Sequence, residues 1–569
     1  MTGIYLSFPV PPIHNVNISQ PNVLKVRGHF FGGRVQLVFP EDCTSMCRNI
    51  KKEECNCMQT FKATGYVLII CLILFGSSFL AGCTEKAPDA GVVTTDAGSV
   101  SGLNQDGIRV FLGIPFAAPP TGDLRWKPPA PVTPWVGVKE TTTYAASCPE
   151  PANANALMPG VPQTPMSEDC LYLNVWTPAH NASEKLPVMI FFYGGAFEKI
   201  AGSMPMYNGT PFAKKGVILV TTNYRIGALG FLAHPELANE SPNNSSGNYG
   251  FLDQIAAMKW VQKNIGAFGG DPTRVTIFGQ SAGAEAVWVH LASPQSKGLF
   301  SQAIVESGTF WENGAVIDSL YSKSRAEQWG EDYAASLGYT GPDAIVQMRR
   351  VPYQDLVNAT PWPSATFRMM TTTHFVPTID GWMIPDSLEN LYRLHEENPV
   401  PVIIGTNKNE GVTLASGANM TVPEYQAFIR NRFGNTSGAI LAKYPANSTA
   451  EAQLQLNQIV TDIDFADAAR FGAGSLADMN AGTYLYTYSY VLPGQTLGAF
   501  HGSELFLLFK VPGVTDPEST KVSDNLIDLW TRFAKTGNPN GGMNVTWPQY
   551  TRERGQYLDI GAVPVVKNG

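Results

Sequence analysis

The stretch FGGDPTRVTIFGQSAG, residues 268–283, constrains the fold of this chain more than any other part of the sequence. The run Val275–Phe278 favours a β-strand, and the segment AEAVWVHLA that comes after the stretch favours a helix. A strand that passes into a helix through G-x-S-x-G is typical of the nucleophile elbow, whose tight turn holds a serine out from the backbone. A Cβ atom at either glycine would clash with the neighbouring strand and helix. The stretch therefore predicts a serine nucleophile, Ser281, at the carboxyl end of a strand.

Composition and charge exclude several classes of protein. With 44% hydrophobic and 11% aromatic residues over 569 positions, the chain can build a sizeable core, which excludes general disorder. Its formal net charge of −8 and isoelectric point near 5.6 argue against a nucleic-acid partner, which requires a basic face. Length alone allows several domains or one large α/β domain with insertions.

The segment from Met58 to Cys83 has the three parts of an export signal. Lys62 gives a positive start, Tyr66–Phe75 is a short apolar run, and the small residues LAG stand directly before Cys83. The apolar run is short for a membrane span, although an uncleaved signal anchor is the alternative interpretation. The ending LAGC resembles a bacterial lipobox, which implies a signal peptide over 58–82 and a lipid on Cys83. We therefore expect an exported lipoprotein, periplasmic or at the cell surface, that is held to a membrane through its lipid anchor.

The segments on either side of this signal are interpreted as non-catalytic. Residues 1–57 precede the export signal, which is an unusual position for a translated segment. We therefore expect a start-site artefact or a disordered segment, with translation beginning at Met58. The cysteines in this part fit no standard zinc spacing; they are Cys43, Cys47, Cys55 and Cys57. Residues 83–95 are small and polar, as expected of a tether, and leave 96–569 for a catalytic domain.

Downstream of the tether, strand-like and helix-like segments alternate. Apolar runs at Val188–Phe192 and Val217–Thr222 predict strands, and Gln302–Glu306 is predicted as the strand after the nucleophile helix. Before the nucleophile, a helix is indicated by apolar side chains at every third position, namely Leu252, Ile255, Met258 and Val261. Alternation of this kind predicts a parallel sheet with helices on both faces. The pattern loosens further on, where residues 320–360 and 420–470 predict helical insertions over an active site.

Two segments resemble the signatures of a known family. EDCLYLNVWTP, residues 168–178, matches the second signature of the type B carboxylesterases, and FGGDPTRVTIFGQSAG matches the first. The resemblance extends from Gly98 to Asp559, and within the family the chain looks like a bacterial para-nitrobenzyl-esterase-like lipoprotein. It implies the α/β-hydrolase fold, with a central, mostly parallel, twisted sheet, helices on both faces and helical insertions over the active site.

Only two cysteines follow Cys83, and they admit two interpretations. On residue count alone, Cys148 and Cys170 are either buried free thiols or a disulfide. The export signal favours the disulfide, because oxidising compartments allow such bonds to persist. The resemblance implies the disulfide as well, since the family pairs the cysteine of EDCLYL with one upstream.

The predicted strand Val188–Phe192 ends in a loop of small residues, YGGAF. Small residues let backbone N–H groups approach a substrate oxygen closely, although an ordinary strand-to-loop turn has the same composition. The family resemblance implies an oxyanion hole formed by the N–H groups of Gly195, Ala196 and Ala282. The family pattern usually has three glycines, and here Ala196 stands at the third.

A serine nucleophile needs a base, and four histidines follow Ser281. His290 lies in the helix after the elbow, His374 precedes a strand-like segment, and His395 lies in a charged helix. Only His501 follows a predicted strand and occupies a loop flanked by glycine, GAFHG. In α/β-hydrolases the order along the chain is serine, acid, histidine, which agrees with His501 as the base. Its segment HGSE resembles the family's H-G-x-E.

The acid must then lie between Ser281 and His501. A short apolar strand, VIIG, ends before the loop TNKNEG, in which the family places a glutamate before the glycine and normally an aspartate before that glutamate. Here the preceding residue is Asn409, so Glu410 is the one carboxylate in the segment. The resemblance implies that Ser281 attacks an ester carbonyl, His501 moves the proton and Glu410 orients the imidazole. Water then releases the acyl group, and this chemistry requires no metal and no cofactor.

Two departures from relatives bear on the substrate, which we expect to be a small neutral ester. Cholinesterases of this family carry a tryptophan between the paired cysteines to stack a quaternary ammonium, whereas the segment from Pro149 to Asp169 contains no aromatic residue. Many relatives carry glutamate before the nucleophile, where this chain has Gln280. A carbamate, amide or lipid hydrolase is the alternative within the fold. A non-catalytic adhesion protein is the alternative outside the hydrolases, and the presence of all three triad residues argues against it.

Overall fold

The computed structural model describes residues 25–30, 33–38, 89–151, 165–309, 322–359 and 375–569. The chain divides into two compact units, residues 1–86 and 87–569. In the first unit, strand β1 (Lys25–Phe30) pairs antiparallel with β2 (Gly33–Val38). The export signal and Cys83 lie outside the described residues and remain predictions. Among the helices of the described residues, none is both long enough and apolar enough to cross a membrane.

One sheet runs through the described residues of the second unit. Its strands are β3 (Asp89–Thr94), β4 (Ser99–Gln105), β5 (Ile108–Pro115), β6 (Val138–Glu140), β7 (Tyr172–Thr177), β8 (Leu186–Phe192), β9 (Ile218–Thr222), β10 (Gly270–Gln280), β11 (Gln302–Glu306), β12 (Val402–Asn407), β13 (Thr483–Tyr488), β14 (Gln556–Ile560) and β15 (Val565–Asn568). Their order across the sheet is β15-β14-β13-β12-β11-β10-β8-β9-β7-β5-β4-β3, and β6 pairs with β4 beside this path.

The middle of the sheet is parallel. Strands β9, β8, β10, β11, β12, β13 and β14 run in one direction, while antiparallel pairing occurs at β15 on one side and from β7 to β3 on the other. Strands β8, β9 and β12 of this parallel part are buried along almost their whole length, as is typical of strands covered on both faces. The predicted mostly parallel α/β sheet is confirmed, and the strand Gln302–Glu306 has the predicted bounds.

Helices connect the strands and cover the sheet. In the described residues the α-helices are α1 (Thr210–Ala213), α2 (Gly227–Phe231), α3 (Pro235–Glu240), α4 (Tyr249–Asn264), α5 (Ala282–Ala292), α6 (Lys323–Ser336), α7 (Ala344–Met348), α8 (Tyr353–Ala359), α9 (Leu388–Arg393), α10 (Gly411–Leu414), α11 (Val422–Phe433), α12 (Ser437–Lys443), α13 (Thr449–Ile459), α14 (Ala468–Asp478), α15 (Ser503–Leu508) and α16 (Pro517–Thr536). Short 3₁₀ helices occur at Gly122–Leu124, Pro205–Tyr207, Ile265–Phe268, Pro294–Ser296 and Gly434–Thr436, and a π-helix at Val460–Asp467. The helix predicted from apolar side chains at every third position is α4, in which Ile255, Met258 and Val261 are buried.

Two consecutive phenylalanines of β8 show how both faces of the sheet are covered. The Phe191 ring contacts Phe278 of β10 and Phe509, which follows α15, with ring centroids 5.0 Å apart in both pairs. The Phe192 ring centroid lies 5.3 Å from that of His290 in α5, the helix that follows the nucleophile. Because successive side chains of a strand point to opposite faces, α5 and Phe509 lie on opposite sides of the sheet.

Helices also form the two predicted insertions. Helices α6, α7 and α8 fall within residues 320–360, and α11, α12, α13 and the π-helix fall within 420–470. The second insertion has a small core of its own, in which Tyr425 and Ile429 of α11 pack with Ile459 and Ile463. This packing fixes the π-helix, which contributes a side chain to the site described below.

Candidate active site

Ser281 occupies a sharp turn between strand β10 and helix α5. Its backbone has φ 58° and ψ −128°, a positive-φ conformation that residues with side chains rarely adopt. Its N–H donates a 3.0 Å hydrogen bond to the carbonyl of Glu306 at the end of β11. A Cβ on Gly283 would lie 1.9 Å from the Phe192 oxygen, and one on Gly279 would lie 2.4 Å from the Gly283 oxygen. The predicted requirement for both glycines is thus confirmed.

The loop after β8 lies against this turn. A Cβ on Gly194 would come within 2.9 Å of the Ser281 Cβ, so the loop backbone passes directly beside the serine. The next two residues have positive φ, 102° at Gly195 and 57° at Ala196. Ala282 is the first residue of α5, where N–H groups have no partner within the helix. The backbone segments that carry all three predicted oxyanion donors therefore meet at the elbow.

His501 lies between the elbow and an acid. Its Nδ1 is 2.6 Å from Oε2 of Glu410, whose side chain is fully buried. The other oxygen of Glu410 accepts a 2.6 Å hydrogen bond from the backbone N–H of Asn407. The Nε2 of His501 lies 3.2 Å from the side-chain Nε2 of Gln280, the residue before Ser281. These partners assign the neutral tautomer in which Nδ1–H donates to Glu410 and the Nε2 lone pair faces the elbow, as a general base requires.

The surroundings of His501 make it a stronger base than an ordinary histidine. Burial by itself lowers the pKa of His501, but Glu410 raises it through its charge and through their hydrogen bond. Glu504 and Glu285, when ionised, raise the pKa further, and the net pKa of His501 lies above its usual value. The imidazolium that forms when His501 accepts a proton is therefore stabilised.

Asn409, which stands where the family normally has aspartate, joins the acid loop to the histidine loop. Its side-chain oxygen accepts a 3.0 Å hydrogen bond from the N–H of Ala499, and its own N–H donates one of 2.9 Å to the Ala499 carbonyl. A Cβ on Gly498 would lie 2.3 Å from the Asn409 side chain, so this close approach requires glycine. Glu410, the next residue, faces His501 instead. Asn409 therefore fixes the spacing of the two loops while Glu410 contacts the base.

Two further contacts of the site have no counterpart in the sequence motifs. The ring centroid of Phe465, from the π-helix Val460–Asp467, lies 5.2 Å from that of His501. π-Helical turns are uncommon and occur frequently at functional sites. Glu285, one turn after the nucleophile in α5, accepts a hydrogen bond from Thr309, and burial raises its pKa to about 7. Sequence reasoning missed both residues, because neither belongs to a motif of fixed spacing.

The other candidate histidines have different surroundings. His290 is buried in α5, where its ring nitrogens lie 2.8 Å from the hydroxyl of Ser296 and 2.7 Å from the side-chain oxygen of Gln254. Burial lowers the pKa of His290 to about 3, so it stays neutral. The prediction that His395 lies in a helix is wrong, because α9 ends before it and its φ is 57°. His374 lies outside the described residues.

Cys148 and Cys170 form the disulfide that the family resemblance implies. Both cysteines are buried. Close by, Glu168 accepts hydrogen bonds of 2.7 and 2.6 Å from the guanidinium of Arg125, which also donates to the carbonyl of Met348. The start of the EDCLYL segment is therefore held by a covalent bond and by a bidentate ion pair.

Removing this disulfide should destabilise the protein without changing its chemistry. On the chain-entropy model, a loop of this length contributes about 3 kcal/mol to the free energy of unfolding. The double variant Cys148→Ser/Cys170→Ser should therefore unfold at a lower urea concentration than the wild type. Reductant should lower the wild-type midpoint and leave that of the double variant unchanged. Equal midpoints for the two proteins under oxidising conditions would contradict this expectation.

Comparison with known proteins covers the same part of the chain. A family model described as the Carboxylesterase family matches residues 89–569, which include every strand from β3 to β15. The chain belongs to the carboxylesterase family. It is accordingly a carboxylic ester hydrolase with the α/β-hydrolase fold, as the two signature segments predicted.

Two relatives of this carboxylesterase extend over most of its length. The protein named fumonisin B1 esterase, from Sphingopyxis macrogoltabida, is 36% identical over 482 residues, which cover 82% of this chain and 86% of the relative. Carboxylesterase 1E from Mus musculus is 34% identical over 507 residues, which cover 82% of this chain and 87% of the relative. Neither comparison bears on a lipid anchor at Cys83, which stays a prediction.

Proposed function

We propose that this carboxylesterase hydrolyses neutral carboxylic esters through an acyl-enzyme intermediate, with Ser281 as nucleophile, His501 as base and Glu410 as the acid. The observation that carries the proposal is the arrangement of His501. Its Nδ1 lies 2.6 Å from Glu410, and its Nε2 faces the turn that holds Ser281, at 3.2 Å from the Gln280 amide. One imidazole thus lies between a buried carboxylate and the turn that holds Ser281, whose backbone has positive φ.

The acylation step follows from these contacts. The Ser281 oxygen attacks the ester carbonyl carbon, and its proton passes to Nε2 of His501. Glu410 stabilises the resulting imidazolium. The full burial of Glu410 strengthens this interaction, because the attraction between two charges is weakened less in a low-dielectric interior than in water. When the tetrahedral intermediate collapses, His501 gives the proton to the leaving alcohol and the acyl group remains on Ser281.

The oxyanion is stabilised by backbone donors. In this proposal the N–H groups of Gly195, Ala196 and Ala282 point to the carbonyl oxygen, where negative charge develops. Loss of one such donor typically lowers kcat about 10²–10³-fold. Water then attacks the acyl carbon with His501 again as base, which releases the acid and restores Ser281.

The preference for neutral esters rests on Gln280. Among the hydrogen bonds of the described residues, the one at Nε2 of His501 is formed with the side-chain amide of Gln280. A carboxylate in this place would attract a cationic substrate group, whereas an amide does not.

The similar fumonisin B1 esterase is named for its substrate, so fumonisin B1 belongs among the esters to be tried.

A series of p-nitrophenyl esters tests this proposal. With at least one short acyl chain, the purified enzyme should release a burst of p-nitrophenol equal to the enzyme concentration, followed by slower turnover, because p-nitrophenol is a good leaving group and acylation is then faster than hydrolysis of the acyl-enzyme. An acetylthiocholine control of equal acyl length should be a poorer substrate by kcat/KM. Folded enzyme that turns over none of the neutral esters, or that prefers the choline ester, would contradict the proposal. Activity on amides or carbamates alone would favour the alternative substrate classes.

We further propose that the mature enzyme is exported and is anchored by a lipid on Cys83. The residues LAGC support this, and the disulfide between Cys148 and Cys170 is compatible with an oxidising compartment. In a bacterial host fed labelled palmitate, the wild type should carry the label and fractionate with membranes. Cys83→Ala should lose both properties, and globomycin should leave the signal uncleaved. An unlabelled wild type would contradict the anchor.

A further inference from the structure

Beside His501 the fold buries more carboxyl groups than the triad uses. Glu306 at the end of β11 and Glu504 in α15 are, like Glu410, inaccessible to solvent. Tyr486 of β13 is 1% exposed, and its pKa is raised by burial and then by the charges of all three carboxyl groups. Three acids and a phenol therefore share one dry region next to the base.

The register of the sheet brings two of these groups together. Across the parallel strands, Glu306 of β11 pairs with Gly405 of β12, and Gly405 pairs with Tyr486 of β13. A Cβ on Gly405 would lie 2.2 Å from the Tyr486 ring, so the ring lies across β12. Glycine at this position lets the tyrosine extend towards the strand that carries Glu306.

Glu306 and Glu504 each have a hydrogen-bond partner on only one carboxyl oxygen. The indole N–H of Trp530 donates to Oε1 of Glu306 at 2.9 Å, and the side-chain amide of Asn407 donates to Oε2 of Glu504. Oε2 of Glu306, Oε1 of Glu504 and the hydroxyl of Tyr486 have no hydrogen-bond partner within the described residues. All three atoms are buried, where an unpaired polar group is costly.

Two ionised carboxylates could not satisfy these atoms. An ionised carboxylate only accepts hydrogen bonds, whereas a protonated one also donates through its O–H. Within the described residues, no lysine or arginine forms an ion pair with Glu306 or Glu504 to compensate two buried charges. Protonation removes the charge and makes one oxygen of each carboxyl group a hydrogen-bond donor.

We infer that Glu306 and Glu504 are a pair of positioning residues, kept protonated in the resting enzyme so that Glu410 is the charged partner of His501. The role given to His501 rests on the proposed function. The protonation of the pair does not, because it follows from burial and from hydrogen bonding alone.

The ionisable groups around Glu306 and Glu504 favour the protonated form of both carboxyl groups. Burial raises the pKa of Glu306 well above its usual value, and the charge of Glu504 raises it further. Burial, with the charge of Glu410, raises the pKa of Glu504 to about 7, against smaller opposing effects of Asn407 and His501. The phenols that face the pair have raised pKa values and stay neutral; they are Tyr486, Tyr488 and Tyr207. Glu285 of α5 also acts on His501, as described above.

Asn407 connects the pair to the triad. Its backbone N–H donates to Glu410 and its side chain donates to Glu504, so a neutral Glu504 holds the acid loop without adding charge. If Glu504 were ionised, its charge would stabilise the imidazolium and raise the pKa of His501. The base would then stay protonated to a higher pH and would accept the serine proton less readily.

Infrared spectroscopy tests the protonation directly. At about pH 6, ordinary Asp and Glu side chains are ionised, so a protonated-carboxyl C=O band reports buried acids. The band should lose intensity in Glu306→Gln and in Glu504→Gln, and should be unchanged in the exposed control Glu553→Gln. Bands identical with the wild type in both buried variants would overturn the inference. This measurement does not depend on which residue is the nucleophile.

The pH profile tests the positioning role. Glutamine is neutral, as we infer for Glu504, and can still accept the hydrogen bond from Asn407, so Glu504→Gln should keep the acid limb of kcat/KM at its wild-type pH and should have a higher plateau than Glu504→Ala. If Glu504 were ionised in the wild type, Glu504→Gln would instead move the acid limb to lower pH, because a charge that raises the pKa of His501 would be lost. An acid limb that moves to lower pH in Glu504→Gln, or equal plateaus for Glu504→Gln and Glu504→Ala, would overturn the inference, whereas absence of the limb from both the wild type and Glu504→Gln would instead mean that His501 is not the base.

Discussion

Ser281→Ala should lower kcat for neutral ester hydrolysis about 10⁵–10⁶-fold, the largest effect expected of any single substitution in this carboxylesterase. The substitution removes the atom that bonds to the acyl group. Alanine is smaller than serine, so the strained turn and its 3.0 Å backbone hydrogen bond to Glu306 should persist. The measurement is kcat with p-nitrophenyl esters, together with the thermal unfolding midpoint as a test of folding.

A matched control comes from the other end of the same helix. Ser293 ends α5, is buried, and accepts a 3.3 Å hydrogen bond from the N–H of Gln295. Ser293→Ala therefore removes a buried serine hydroxyl far from the proposed chemistry, and it should retain kcat even if it lowers stability. Equal kcat for Ser281→Ala and Ser293→Ala, in protein made in a host without esterases, would show that the nucleophile is another residue.

Glu410→Gln should lower kcat about 10³–10⁴-fold, the second largest effect. The glutamine amide can face Nδ1 of His501 with a donor, which favours the tautomer that has its proton on Nε2 and cannot accept one from Ser281. Loss of the carboxylate also removes the charge that raises the pKa of His501, so the acid limb of kcat/KM should move to lower pH. The measurement is a pH series of kcat and kcat/KM on the folded variant.

Asn409 offers a specific control for this result. The family normally has a carboxylate there, but the Asn409 side chain is bonded to the N–H of Ala499 and not to His501. Asn409→Asp should therefore fail to rescue Glu410→Gln in the double variant. Recovery of kcat by the added aspartate would mean that position 409 can supply the acid and that the assignment of Glu410 is wrong.

Much of the fold was predictable from local patterns. Continuous apolar runs identified β8 and β9, because strands covered on both faces need no polar alternation. The elbow was predictable because its glycines are required sterically: a Cβ added at Gly283 would lie only 1.9 Å from the Phe192 oxygen. By contrast, His395 was placed in a helix because its neighbours favour one, and the chain turns there instead.

The surroundings of the site were less accessible to sequence reasoning. The contact of Phe465 with His501 depends on how the second insertion folds over the sheet. The placement of Tyr486 two strands from Glu306 depends on register between strands that are far apart in the chain, because each residue pairs with Gly405. Glu504 stands in the segment HGSE, but its burial, and hence its raised pKa, becomes evident only once α15 is packed. Motifs mark the atoms that react, whereas tertiary packing decides which acids are neutral.

Covalent labelling tests the central claim most directly. The enzyme should react with a fluorophosphonate probe at one residue, and peptide mapping by mass spectrometry should place the adduct on Ser281. His501→Ala should be labelled far more slowly, since the serine then lacks its base, and Ser281→Ala should not be labelled at all. An adduct on any other residue of the wild type, or equal labelling of Ser281→Ala, would contradict the assignment of Ser281 as the nucleophile.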